Sequence, residues 1–233
     1  MKIILSATPD SEGGKRSAYD QIKHLILTGA LRPMERITEE EFAAKLGLSR
    51  TPIREAFGLL AAEGLIVVIP QRGSFVSNLS VDDLLEIYQI RVPLECMAVR
   101  IAAQALTQTD LEELDRIVAS QLQDKEIPPE QSLAASAAFH DIINGSVRNK
   151  RLQALLTQLQ SQVHRVRALW PLTVPRLRET WREHADLLTA LKARDGAKAE
   201  KLMWDHLEKA RMSTLSQMMP ILSSVDWAPK EPS

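Results

Sequence analysis

Three histidines are the residues in this chain best placed to do chemistry. His184 lies between Trp181 and Leu188, and His206 between Leu202 and Ala210, so at helical spacing each sits on an apolar face and points inward. His140 follows Ser136 and precedes Asn144 at four-residue intervals, which puts serine, histidine and asparagine on one stripe of an Ala-rich helix. One inward histidine is ordinarily a hydrogen-bonded core residue. Three from three helices can instead hold one divalent metal ion of the zinc or nickel class, with positions left open for a ligand. On the residues alone both readings stand. Arginines form the second group. Arg50 and Arg54 are four apart with Thr51 beside them, on a helix whose Ile53, Phe57 and Leu60 face the other way. Their guanidinium forks match the paired acceptors of guanine. Arg91 lies one turn before Glu95, a spacing that allows an ion pair between them.

Positioning these groups requires helices, and the composition supplies them. The chain has 233 residues, 45% of them hydrophobic and 25% charged, with 9 Gly and 12 Pro, which excludes collagen-like and disordered classes. Ala, Leu, Gln, Glu, Lys and Arg abound while aromatic residues make up 4%, so the fold class is mostly α. The formal net charge of −1 does not itself announce a nucleic-acid binder. Apolar runs such as Leu65–Ile69 are far short of the roughly 20 residues that span a bilayer, so no membrane partner is expected. No signal segment is recognisable, and the single Cys96 forms no internal disulfide, so the expected location is cytoplasmic.

The pattern divides the chain into a flexible arm over 1–14, a first domain over 15–78, an all-α domain over 79–222 and a flexible tail over 223–233. Helical periodicity begins near Ser17 and closes at Thr28-Gly29. Thr38-Glu39-Glu40-Glu41 has the spacing of a capping box, Gly47 suits a left-handed helix end, and Ser49 can cap the next helix. The result is helix, tight turn, helix. Leu65–Ile69 and Ser74–Ser77 flank Gln71-Arg72-Gly73 as a two-stranded wing. Beyond it, helices are expected from Ser80 to about Ala105, with Pro93 kinking that helix or starting a new one, and over 110–124, 130–145, 149–169, 175–193 and 197–218. Asn149 is expected to cap one of them, and Glu55 to pair with nearby arginines.

Leu48-Ser49-Arg50-Thr51-Pro52-Ile53-Arg54-Glu55-Ala56, followed by Leu60–Ile66 and Pro70-Gln71-Arg72-Gly73-Ser74-Phe75-Val76, resembles the winged helix-turn-helix of GntR-family bacterial transcription regulators. The resemblance implies that Arg50 and Arg54 read bases, that Ser49 and Thr51 contact phosphate or base, and that Arg72 and Gly73 approach the minor groove. Glu40 departs from the basic residue that some members carry at the start of the preceding helix. Phe139-His140, Glu183-His184-Ala185-Asp186-Leu187-Leu188 and His206-Leu207 resemble the FCD-type effector domain of the FadR subfamily. Many members hold a metal with an aspartate and three histidines. The histidines correspond to His140, His184 and His206, and the aspartate position is Ser136, a poor ligand when neutral. Arg91 corresponds to an arginine that faces the effector, with Ser136 and Asn144 beside the same pocket. The implied protein is a homodimeric repressor on a near-palindromic operator in double-stranded DNA, released by a small organic acid. Segments 70–76 and 163–168 resemble regulators of sugar-acid metabolism. The rival is a metal-dependent all-α enzyme with a DNA-binding appendage, but no His-Glu-x-x-His pair and no spaced nucleophile and base support it.

Overall fold

A computed structural model of the chain describes residues 11–123 and 127–224. Of the expected arm, 1–10 lie outside the described residues, as do 225–233 of the expected tail. The chain forms two compact units, one of residues up to Ser80 together with Ser161–Leu169, the other of Val81–Gln160 and residues from Trp170 onward.

The first unit contains α1 (Ser11–Leu27), β1 (Arg36–Ile37), α2 (Glu39–Leu46), α3 (Arg50–Ala62), β2 (Ile66–Ile69) and β3 (Gly73–Val76). Helix α1 thus begins inside the stretch expected to be a loose arm. Gly14 lies within contact range of Leu48 and Pro52, so this first turn packs on the α2–α3 turn and the start of α3. Ile22, Ile26, Phe42, Ile53, Phe57 and Leu60 form one core, with the Phe42 and Phe57 rings edge-on at 6.1 Å. At the start of α2, Thr38 Oγ1 accepts from Glu41 N at 3.1 Å. The box does not close, because Glu41 turns outward to Lys45 Nζ at 2.7 Å. Gly47, at φ 67°, ends α2 in the left-handed region that a β-carbon disfavours. Ser49 takes the N-cap position of α3, but its side chain makes no capping hydrogen bond. The sheet has three strands in the order β1-β3-β2, not the two expected. Strand β1 is two residues long, too short to show a period. Three side chains of the 161–169 segment complete this unit: Arg165, 2% exposed, donates to the Ser77 carbonyl, Gln162 donates to the Glu63 carbonyl, and Val166 is buried.

The second unit is helical: α4 (Val81–Ala105), α5 (Gln108–Gln121), α6 (Pro129–Gly145), α7 (Lys150–Leu169, whose end belongs to the first unit), α8 (Val174–Lys192) and α9 (Gly196–Ser224). Helix α4 continues through Pro93 as one element. It packs along α9, and at the start of α9 a Cβ on Gly196 would lie 3.0 Å from the Arg100 carbonyl oxygen. Helix α5 starts at Gln108, two residues earlier than the apolar period suggests, because Thr107 and Asp110 form a closed capping box with bonds of 3.2 and 2.8 Å. Asn149 caps α7, its Oδ1 accepting from Arg151 N at 3.1 Å and Leu152 N at 3.2 Å. Among the described residues no helix is long and apolar enough to cross a membrane. The fold is mostly α, with a small sheet after an N-terminal helix-turn-helix.

Candidate functional site

The histidine centre is assembled from α6, α8 and α9, which carry His140, His184 and His206 at 5%, 0% and 1% exposure. One nitrogen from each lies within 4.8 Å of the others. Phe139 stacks on the His184 ring at 4.3 Å between centroids, and Trp181 meets it edge-on at 4.8 Å while donating to Ser132 Oγ at 2.7 Å. The aromatic walls fix His184 and keep water away from it.

Two carboxylates hold the outer nitrogens of the other histidines. His206 Nδ1 is hydrogen-bonded to Glu183 Oε2 at 2.7 Å. His140 Nδ1 lies 2.9 Å from Glu95 Oε2, an ion-pair contact that is not aligned as a hydrogen bond. The Nε2 atoms of His140 and His206 are buried with no hydrogen-bond partner in the protein. A buried polar atom left in that state costs about 1–3 kcal/mol, a cost that a bound ion or ligand removes. Each carboxylate is balanced by an arginine. Arg176 grips Glu183 with two bonds of 3.0 and 2.9 Å. Arg91, 2% exposed, donates from Nε to Glu95 at 2.6 Å and from Nη1 to the Tyr88 hydroxyl at 3.0 Å. Burial alone would raise the Glu183 carboxyl, but the bonds from His206 and Arg176 outweigh it and hold the group at about 2. Glu95 is likewise held below the usual carboxylate range, because Arg91 and His140 overcome the effect of burial. His206 is pushed down to about 4, chiefly by burial against the opposing pull of Glu183. It is therefore neutral near pH 7, the form that ligates metal.

Of the other residues expected here, Ser136 is buried one turn before His140, and Asn144 is half-buried in the last turn of α6. Arg91 makes the bond to Glu95 that its spacing allowed. Glu183, Arg176 and Tyr88 were not anticipated at this centre. Arg176 and Glu183 do stand seven apart, two turns on one face of α8, whereas the His206–Glu183 contact joins two helices and leaves no mark in the spacing. Cys96 is a buried thiol pushed up to about 12 by burial, as befits a packing residue.

At the other site, Ser49, Arg50, Thr51, Arg54 and Arg72 are all exposed, on the start of α3 and the β2–β3 turn. Gly73 is partly buried at φ 104°, a conformation that a side chain would strain. Arg50 is ion-paired with Glu40 of α2. Arg54 donates through Nε to both oxygens of Glu39, at 3.2 and 3.4 Å, which leaves its terminal nitrogens outside that contact. Glu55 pairs with Lys15 at 3.3 Å, not with an arginine as its position suggested. Arg36 of β1 was not anticipated here: its Nε would lie 3.4 Å from a Cβ at Gly73, which adds a guanidinium to the wing tip.

Comparison with known proteins covers both sites. Residues 15–76 match the family described as bacterial regulatory proteins, gntR family, and residues 86–209 match the FCD domain. The chain is 30% identical over 195 residues to the HTH-type transcriptional regulator YdhC of Bacillus subtilis, covering 81% of this chain and 85% of that one. It is 28% identical over 194 residues to the HTH-type transcriptional repressor RspR of Escherichia coli, covering 82% and 84%. The solved structure of Escherichia coli McbR/YncC superposes with a TM-score of 0.74 at 26% identity, covering 92% of this chain and 99% of that one. YdhC and RspR are regulators of transcription, which sets the enzyme reading aside. The exposed arginines of α3 and the buried histidine centre thus fall within the two matched regions, and the chain belongs to the gntR family of bacterial regulatory proteins, as a DNA-binding transcriptional regulator with an FCD domain.

Proposed function

We propose that this regulator is a homodimeric repressor of the FadR type, working in the cytoplasm on a near-palindromic operator and released by a small carboxylate, a sugar acid or a related organic acid. The observation that carries the effector half is the buried meeting of His140, His184 and His206, with two unpartnered Nε2 atoms, beside Arg91. The donor set fits a divalent ion. Neutral imidazoles are apt ligands for the zinc or nickel class, and Glu183 fixes the tautomer of His206 from behind. His140, His184 and His206 would hold the ion, one nitrogen of each lying within 4.8 Å of the others. With Ser136 in place of an anionic ligand, affinity is lower than in a site that adds a carboxylate. The ion supplies a positive anchor for an effector carboxylate.

Arg91 is the second anchor, and in this structure its Nε donates to Glu95. An incoming carboxylate competes with Glu95, which also touches His140, so effector binding changes how α4 is held to α6. Such a difference between effector-free and effector-bound contacts is what allostery requires. Ser136 and Asn144 offer a hydroxyl and an amide to the same ligand. For the DNA half, we assign base reading to Arg50 and Arg54, backbone or base contacts to Ser49 and Thr51, and the minor groove to Arg72 and Gly73. Repression is supported by the relative RspR, which is named a repressor. Exposed apolar side chains on α4 and α9, Met97, Ile101 and Trp204, offer the surface for pairing.

The test is a mobility-shift titration of the metal-loaded protein on a duplex selected from a random library, against a panel of sugar acids and other small carboxylates. One acid should weaken binding at least tenfold. If none changes the affinity, the effector reading is wrong.

A further inference from the structure

Helix α2 opens with three glutamates, and two of them reach the arginines of α3. For a DNA-binding surface this is an unfavourable place for negative charge, because a carboxylate facing the phosphates opposes binding. The two pairs are not alike. Glu39 has a side-chain exposure of 33% and sits against Arg54 Nε, so it acts as a positioning residue for that arginine. Glu40 is 71% exposed, Arg50 is 60% exposed, and the two meet at their tips. The exposed pair adds about 0–1 kcal/mol and the place of Glu40 in the first turn of α2 about 0.3–1 kcal/mol, so the fold gains only modestly from Glu40. What the pair fixes is location: whichever part of the DNA receives the Arg50 guanidinium also receives the Glu40 carboxylate.

We infer that Glu40 is a specificity-determining residue that accepts a hydrogen bond from a cytosine amino group next to the guanine read by Arg50. The inference rests on the assignment of Arg50 as a base reader. In the major groove the donors are the amino groups of cytosine and adenine. Adenine presents its N7 acceptor beside its amino group, which repels the second carboxylate oxygen. Cytosine's own edge carries a C5–H, not an acceptor, beside its amino group, so a carboxylate prefers it. Arginine carries five N–H donors, so Arg50 can bind guanine while still held by Glu40. The repulsion between Glu40 and the backbone is then the cost of a contact that discriminates between bases.

The experiment is in vitro selection from a random duplex library with the full-length protein, followed by competition binding on the selected sequence and its single-base variants. Wild type, Glu40→Ala and Glu40→Gln are compared, and circular dichroism confirms that the variants fold, as an exposed site permits. Wild type should select a motif with a fixed C·G pair beside a fixed G·C pair in each half-site. In Glu40→Ala the cytosine preference should fall by roughly five- to tenfold while the guanine preference remains. The same motif at unchanged stringency, with tighter binding to every sequence, overturns the inference and leaves Glu40 as a uniform electrostatic brake. Failure of wild type to enrich any motif removes the base-reading assignment and this inference with it.

Discussion

Glu183→Gln removes one negative charge and keeps the side-chain shape. In the wild-type protein that carboxylate accepts two bonds from Arg176, at 3.0 and 2.9 Å, and one from His206 Nδ1 at 2.7 Å, with Lys209 Nζ at 3.2 Å. Arg176 and Glu183 side chains are 8% and 13% exposed, and the other carboxylate near Arg176, Glu179 at 3.7 Å, is 60% exposed, so little compensates Arg176 once Glu183 is neutral. Breaking a buried pair from one side costs about 3–5 kcal/mol, and the surviving amide oxygen keeps the loss near the lower end, about 3 kcal/mol. For a chain of this size that is about 6–12 °C in Tm. The amide's NH2 also donates where Glu183 accepted, so His206 loses the acceptor that fixes its tautomer. Urea denaturation in chelator measures the first effect, and zinc titration by calorimetry measures the second, with affinity expected to fall about 10–100-fold. A stability loss below about 0.5 kcal/mol would refute the reasoning about the buried charge. An unchanged zinc affinity would refute the role given to the carboxylate behind His206.

Three further outcomes follow from the same contacts. In metal-free protein the urea midpoint should fall as pH drops: the unfolded chain protonates its histidine near 6.5 while native His206 resists to about 4, so stability is lost across that window. Glu183, at about 2 against an ordinary 4.5, extends the loss below pH 4.5, and a flat profile from pH 7 to 5 would contradict the first part. Gly196→Ala should destabilise by about 1–3 kcal/mol despite alanine's better helix propensity, because the new Cβ meets the Arg100 carbonyl oxygen at 3.0 Å; a gain in Tm would show that the α4–α9 contact yields freely. Arg54→Ala should weaken binding to the selected duplex by about 1–3 kcal/mol in anisotropy titrations, and an unchanged affinity would remove it from the base readers.

The three histidines, the two exposed arginines of α3 and the wing turn could be read from the sequence because each follows from spacing along one helix or one hairpin. Helical order was legible too, since apolar period and turn residues are local signals. Legibility ended where a residue's role is set by a distant partner. Glu183 carries no local sign that it faces His206, and Glu40 none that it reaches Arg50, ten residues on. Strand β1 was missed because two residues cannot show alternation, and the start of α1 because Gly13 and Gly14 suggest a break although Gly14 lies inside the helix against Leu48. The Thr107–Asp110 box, by contrast, was present in the sequence as Thr-x-x-Asp.

The DNA-binding unit is not one continuous stretch of chain. Segment 161–169 belongs to it, with Arg165 closing on the Ser77 carbonyl and Gln162 on the Glu63 carbonyl. A winged helix transplanted at residue 80 would therefore arrive with unsatisfied carbonyls and an uncovered apolar patch. Exchange of DNA-reading heads between such regulators, in the laboratory or by recombination, has to carry matching residues from the far side of α7.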